Sequence, residues 1–325
     1  MKRLVSVMED HQILLYLAAI AIGAGAGLVL PGAERLEVGI NPVLGLLLYA
    51  TFLGVPFAAI GRAVRDVRFL GTVLVLNFVV VPVVVFALSR FVAGDPPLLF
   101  GVLLVLLTPC IDYVIVFSGL AGGASARLLA AAPLLMLVQI LLLPVYLLLF
   151  IGPTGVAAVE IGPFVEAFLV LIVLPLATAA ATQALAKRTR IARRVEGVMQ
   201  GLMVPLMMAT LFVVVASQAG AVADNVSRLI VLVPVYGAFL VVMAALGMAA
   251  GKMARLDVPS WRALVFSGAT RNSLVVLPLA LALPADLGLA PVVVVTQTLV
   301  ELVGMIIYVR VVPWLIPSRV SMVNT

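Results

Sequence analysis

The stretch LTPCIDYVIVFSGLAGG, residues 107–123, lies inside an apolar run long enough to cross a bilayer. Yet it holds a proline, the chain's only cysteine and an aspartate within four positions. Proline removes a backbone donor and clashes with the preceding turn. A lone charge at the centre of a membrane helix costs at least ~2.5–3.5 kcal/mol. A segment that keeps both predicts a helix opened at Pro109, with freed backbone groups and Thr108, Cys110 and Asp112 lining a polar pocket.

A second interruption stands in FSGATRNSLVVLPLALALP, residues 266–284, where Gly268, Thr270, Arg271, Asn272 and Ser273 break an apolar run. The two halves of the chain resemble each other at an offset of about 159 residues: LLLYATFLGV (46–55) matches PLMMATLFVV (205–214), and Pro133 with Gln139 matches Pro291 with Gln297. That offset carries Asp112 onto Arg271. The two charges are therefore expected to face each other where two opened segments cross, either as a structural ion pair or as one that reorganises when substrate or a proton arrives. Half-helix ends at such a crossing add partial charges suited to a polar ligand.

Composition sets the solvent. Hydrophobic residues make up 65% of the 325 and charged residues 10%, with mean hydropathy +1.31. A soluble domain is nearly half apolar and about a quarter charged, so this chain is an all-α polytopic membrane protein. Ten spans are predicted, at about 13–30, 42–60, 69–88, 98–120, 128–151, 161–185, 198–219, 229–250, 261–283 and 287–316. The first reads as a span rather than a cleaved leader. Five spans per half invert the second half relative to the first. The chain then divides into a first repeat, 1–160, and a second, 161–325, in one integral unit with helices four and nine broken and crossed.

Orientation follows from the cations. Fifteen Lys and Arg fall in loops on the side of the termini, KRTRIARR (187–194) among them, against Arg35, Arg90 and Arg228 on the other. This puts both termini in the cytoplasm of a multi-pass protein of the cell (inner) membrane. The net charge of +6 is thus a topology signal rather than a nucleic-acid face. An intramembrane enzyme is disfavoured, since Cys110 has no histidine within the spans to act as its base. There is no nucleotide-binding motif, and no metal or cofactor is assigned. The expected partners are a small-molecule substrate, an ion gradient and the lipid bilayer. Asn77, Gln139 and Gln297 lie within spans, where helix-to-helix hydrogen bonding is the ordinary role. The two repeat-related glutamines, with Asn77, are expected near the crossing.

LTPCIDYVIVFSGLAGGASARLLAAAPLLMLVQILLLPVYLLLF, residues 107–150, resembles the fourth and fifth spans of arsenite efflux permeases, a branch of the bile acid, arsenite and riboflavin transporter superfamily. The resemblance implies a five-plus-five inverted repeat with panel and core subdomains, and crossed fourth and ninth helices. It also implies that Cys110 is required for transport of arsenite or antimonite, soft ligands suited to a thiol. Span nine departs from the pattern. Asn272 matches an asparagine of the motif, but Leu274 stands where an acid is typical, which argues against the sodium site of the bile acid branch. Glu301 resembles an acid of the last span and, with Asp112, is a candidate for coupling. The substrate-binding candidates are Thr108, Cys110, Asp112, Arg271, Asn272 and Ser273. The leading expectation is proton-coupled efflux of arsenite or antimonite. The alternative is a bile-acid-symporter-like transporter of an organic anion, sodium- or proton-coupled, with Arg271 on a carboxylate or oxyanion.

Overall fold

The computed structural model describes residues 7–8, 11–54, 66–111, 113–157, 165–166 and 168–317. Among them the chain is predominantly helical, with no strand and one isolated backbone bridge. The helices are α1 (Gln12–Val29), α2 (Ile40–Gly54), α3 (Val67–Val75), α4 (Val81–Ser89), α5 (Pro96–Leu106), α6 (Tyr113–Leu120) and α7 (Ser125–Ala157, kinked at Gly152). There follow α8 (Leu174–Ala186), α9 (Arg190–Gly201), α10 (Met203–Asp224), α11 (Leu232–Met253), α12 (Val258–Ala269), α13 (Ser273–Leu281) and α14 (Ala290–Leu315). Seven helical segments among the described residues are long and apolar enough to cross a membrane. Their outward positions carry residues such as Leu141, Leu149, Val241 and Trp314, all more than two-thirds exposed, which only lipid makes tolerable. The chain is a multi-pass membrane protein.

Contacts group the chain into two units. One comprises Met1–Val55, Ala157–Val231 and Leu274–Val295; the other Pro56–Val156, Leu232–Ser273 and Thr296–Thr325. The first unit is organised by α1 on α10. A side chain added at Gly23 would stand 2.9 Å from the Phe212 carbonyl, and one at Gly27 would come still closer to that of Ala216. Gly23 and Gly27 form a G-x-x-x-G face that lets two backbones touch where lipid supplies no hydrophobic drive.

In the second unit, one proline inside a helix is accommodated by a π-turn and a donated bond. Leu76–Val80 forms a π-turn just before Pro82. The α-helical partner of the Phe78 carbonyl would be the missing N–H of Pro82. The Tyr146 hydroxyl donates to that carbonyl instead, at 2.5 Å. Outside the spans, Arg127 joins Asp66 and Asp257 at 3.3 and 2.7 Å and also donates to Ser260. Burial works to raise the Asp257 carboxyl, but hydrogen bonds from Ser260 and Arg127 and the Arg127 charge outweigh it and hold it below the usual carboxylate value.

The α1–α10 contact makes a test. Gly27→Ala forces the two helices apart and destabilises by about 1–3 kcal/mol, read as a lower Tm in detergent. Gly25→Ala, whose added carbon meets nothing within 4 Å, is neutral or slightly stabilising, because alanine is the better helix former. Equal Tm values for the two variants would contradict the close approach.

Candidate functional site

The FSGLAGG end of the opening stretch is a helix stop. Gly122 adopts φ +67°, and the Gly123 N–H returns to the Ser118 carbonyl at 2.7 Å. Upstream, α5 ends at Leu106 and α6 begins at Tyr113. The corresponding opening between α12 and α13 spans Thr270 to Asn272. The two openings meet as antiparallel backbone. The Cys110 N–H donates to the Thr270 carbonyl at 3.2 Å, and the Asn272 N–H donates to that of Thr108 at 2.9 Å. Pro109 therefore stands opposite Arg271, a register three residues away from the one the sequence offset sets. The pairing is symmetrical in detail: the Thr108 and Thr270 hydroxyls donate to the Leu104 and Phe266 carbonyls, each four residues back.

Opening two helices strips carbonyls of their partners. The α-helical donor for Leu106 would be the Cys110 N–H, now given to Thr270. The donor for Ser267 would be the Arg271 N–H, which goes to Glu301 Oε2 at 2.9 Å. The donor for Gly268 would be the Asn272 N–H, now given to Thr108. All three carbonyls turn to one guanidinium. Arg271 Nη2 donates to the Ser267 and Gly268 carbonyls at 2.8 and 2.7 Å, and Nη1 to that of Leu106 at 3.4 Å. Asn77 Oδ1 supplies a fourth oxygen at 2.8 Å. The guanidinium is fully buried, with its carbon 5.4 Å from the centre of the Phe239 ring.

Glu301, from α14, is 1% exposed. Besides the Arg271 N–H it accepts from Gln297 Nε2 and, at 2.5 Å, from the Tyr113 hydroxyl, which also reaches the Arg271 carbonyl at 2.8 Å. Three donors thus converge on one buried carboxyl group.

Of the residues nominated from sequence, the structure gathers Thr108, Cys110, Arg271, Asn272, Asn77, Gln297 and Glu301 at this crossing. Ser273 follows it, in a hydrogen bond with Thr298 at 2.8 Å. Asp112, and with it the expected pair to Arg271, lies outside the described residues. Gln139 is buried on α7, and its Oε1 has no hydrogen-bond partner among the described residues. Tyr113, Ser267 and Phe239 were not singled out. Tyr113 directly follows the Pro109–Asp112 opening and could have been read as its next polar group. Ser267 holds Asn77 by accepting from Nδ2 at 3.0 Å, and neither it nor Phe239 carries a sequence signal. A cavity of about 500 Å³ in the first unit is lined by Glu34, Glu37, Gln218 and Asp224 and contains none of the nominated residues.

Residues 41–225 match the family model described as the sodium bile acid symporter family. The match includes the first opening and ends before the second. A search of curated proteins returns no match.

The carboxylate network predicts a graded loss. Glu301→Ala leaves the Arg271 N–H, Gln297 and Tyr113 without their buried acceptor, and each orphaned donor costs about 1–3 kcal/mol. Glu301→Gln keeps one acceptor oxygen and loses less. Thermal unfolding in detergent should rank wild type above Glu301→Gln above Glu301→Ala, and identical Tm values for all three would refute the network.

Proposed function

The chain belongs to the sodium bile acid symporter family, and we propose from that premise that it is a secondary transporter exporting arsenite or antimonite in exchange for protons. The observation that carries this reading is the placement of Cys110. The only thiol in the chain is buried, with its backbone N–H bonded across the crossing. A soft sulfur donor suits trivalent arsenic or antimony. A single thiol binds without the multidentate hold that would prevent release. Thr108, Asn272 and Ser273 supply further polar groups, with Asp112 beside them in sequence. Asp112 and Glu301 are the carboxylates that would carry the proton, and Asn77, Gln139 and Gln297 are taken as amides near the crossing.

The architecture proposed with this function has ten spans, a five-plus-five inverted repeat divided at residue 160, panel and core subdomains, and both termini in the cytoplasm of the inner membrane. The matched roles of Thr108 and Thr270 support the inversion, and the excess of loop cations on one side supports the orientation. Pairing of Asp112 with Arg271 is part of the same reading.

A second reading, transport of an organic anion, is favoured by the positive charge of Arg271 at the crossing. The turning of its Nη donors toward protein oxygens favours the first.

The deciding measurement is transport into inside-out vesicles, with arsenite and a panel of carboxylates as substrates. Cys110→Ser should abolish arsenite uptake, and arsenite resistance in a sensitive host, at unchanged protein level. Full resistance from that variant would remove the thiol from the mechanism, and uptake of a carboxylate with none of arsenite would establish the second reading.

A further inference from the structure

The second unit contains a cation-binding cage whose occupant is part of the chain. We propose that the Arg271 guanidinium is a resident cation filling an alkali-cation site at the helix crossing, so that the transport cycle proceeds without sodium. The proposal deepens the function above and rests on reading the chain as a transporter of this family.

The cage is built only from oxygens: the carbonyls of Leu106, Ser267 and Gly268 and the amide oxygen of Asn77. That is a donor set for a hard cation. Its three carbonyls are the ones released when α5 and α12 open, so they lie at the C-terminal ends of two half-helices. Broken-helix transporters use such ends and unwound carbonyls to coordinate their coupling ion. Each helix C-terminus carries roughly half a negative charge. Two of them converging call for about one positive charge, and the guanidinium supplies it.

The fourth oxygen is fixed from behind. Asn77 Nδ2 donates to the Val73 carbonyl and to Ser267 Oγ, both at 3.0 Å, which leaves Oδ1 directed at the guanidinium. Asn77 thus serves as a carbonyl donor inside a span, beside the π-turn that begins at Leu76. Arg271 itself is 0% exposed, and only its Nε lacks an acceptor among the described residues. A side chain placed to grip a substrate anion would direct its paired Nη donors into the site; these are directed into the protein.

A sodium ion in such a cage would bind and leave in every cycle. A tethered guanidinium does neither, so the crossing keeps its positive charge in all states and the cycle must draw on another gradient.

The test is thermal unfolding of the purified full-length chain in detergent without substrate. Sodium chloride is compared with N-methyl-D-glucamine chloride at equal ionic strength. The wild-type Tm should be the same in both. Arg271→Ala should have a lower Tm in N-methyl-D-glucamine, and sodium should raise it saturably by about 2–4 °C. Arg271→Lys, which keeps a tethered cation, should show no sodium response. If Arg271→Ala does not survive purification, Arg271→Gln, neutral and too short to fill the cage, replaces it. Saturable stabilisation of the wild-type chain by sodium would overturn the proposal, whatever the variants do. A folded Arg271→Ala or Arg271→Gln protein indifferent to sodium would overturn it equally. None of these readings involves arsenite, so failure of the substrate assignment would appear only in the vesicle assay and leave the cation result standing.

Discussion

Everything at the crossing depends on one constraint: a backbone opened inside a membrane has no water to receive its freed polar groups. The chain opens two helices and crosses the openings, and the two segments satisfy each other with a pair of reciprocal bonds. Those bonds consume the Cys110 and Asn272 N–H groups, which would otherwise have capped their own helices. What remains is a surplus of carbonyl oxygen at two helix C-termini, and the Arg271 guanidinium takes it up. The remaining N–H, that of Arg271 itself, goes to Glu301. An arginine and a glutamate are thereby built into the backbone accounting of the site.

The same device recurs in the second unit. Arg262, 8% exposed, donates through Nε and Nη2 to the Ile316 carbonyl, and through Nη1 to that of Ala121. These are the carbonyls just beyond α14 and α6. Two buried guanidiniums thus close helix C-termini, with the planar multi-donor fork that lysine lacks. Tyr146 answers the carbonyl stranded by Pro82 in a neutral version of the same arrangement. In the first unit the means differ: glycines draw α1 and α10 together until backbone meets backbone, and dispersion contacts do the holding.

These arrangements bear on function through charge. A site whose positive charge is fixed by covalent tether, and whose buried carboxylate is pinned by three donors, keeps its electrostatic character unless that carboxylate gains a proton or its network rearranges. Glu301 is bonded to both crossing segments, to Arg271 by its N–H and to the start of α6 through Tyr113. A change in its charge would be felt at once on both sides of the crossing.

Several of these features were legible in the sequence. Pro109 within an apolar run and the polar cluster at Thr270–Ser273 marked both openings, because proline and uncompensated polarity have few tolerable places in lipid. Glu301 and Asn77 stood out as intramembrane polar groups. The partners did not stand out. The antiparallel bridge sets Arg271 opposite Pro109, since register at a crossing is fixed by which backbone donors reach which carbonyls and not by counting along the chain. That the guanidinium would turn to three carbonyls and an amide, rather than into the site, depended on which helical bonds the crossing consumed. Ser267 and Phe239 were silent because a serine in a helix and a phenylalanine in a span are ordinary until something buried lies against them. Sequence determined where the helices had to break, through the cost of proline and polarity in lipid. Only the tertiary structure decided what the broken ends would bind, because their partners lie up to 194 residues away and are chosen by proximity in space.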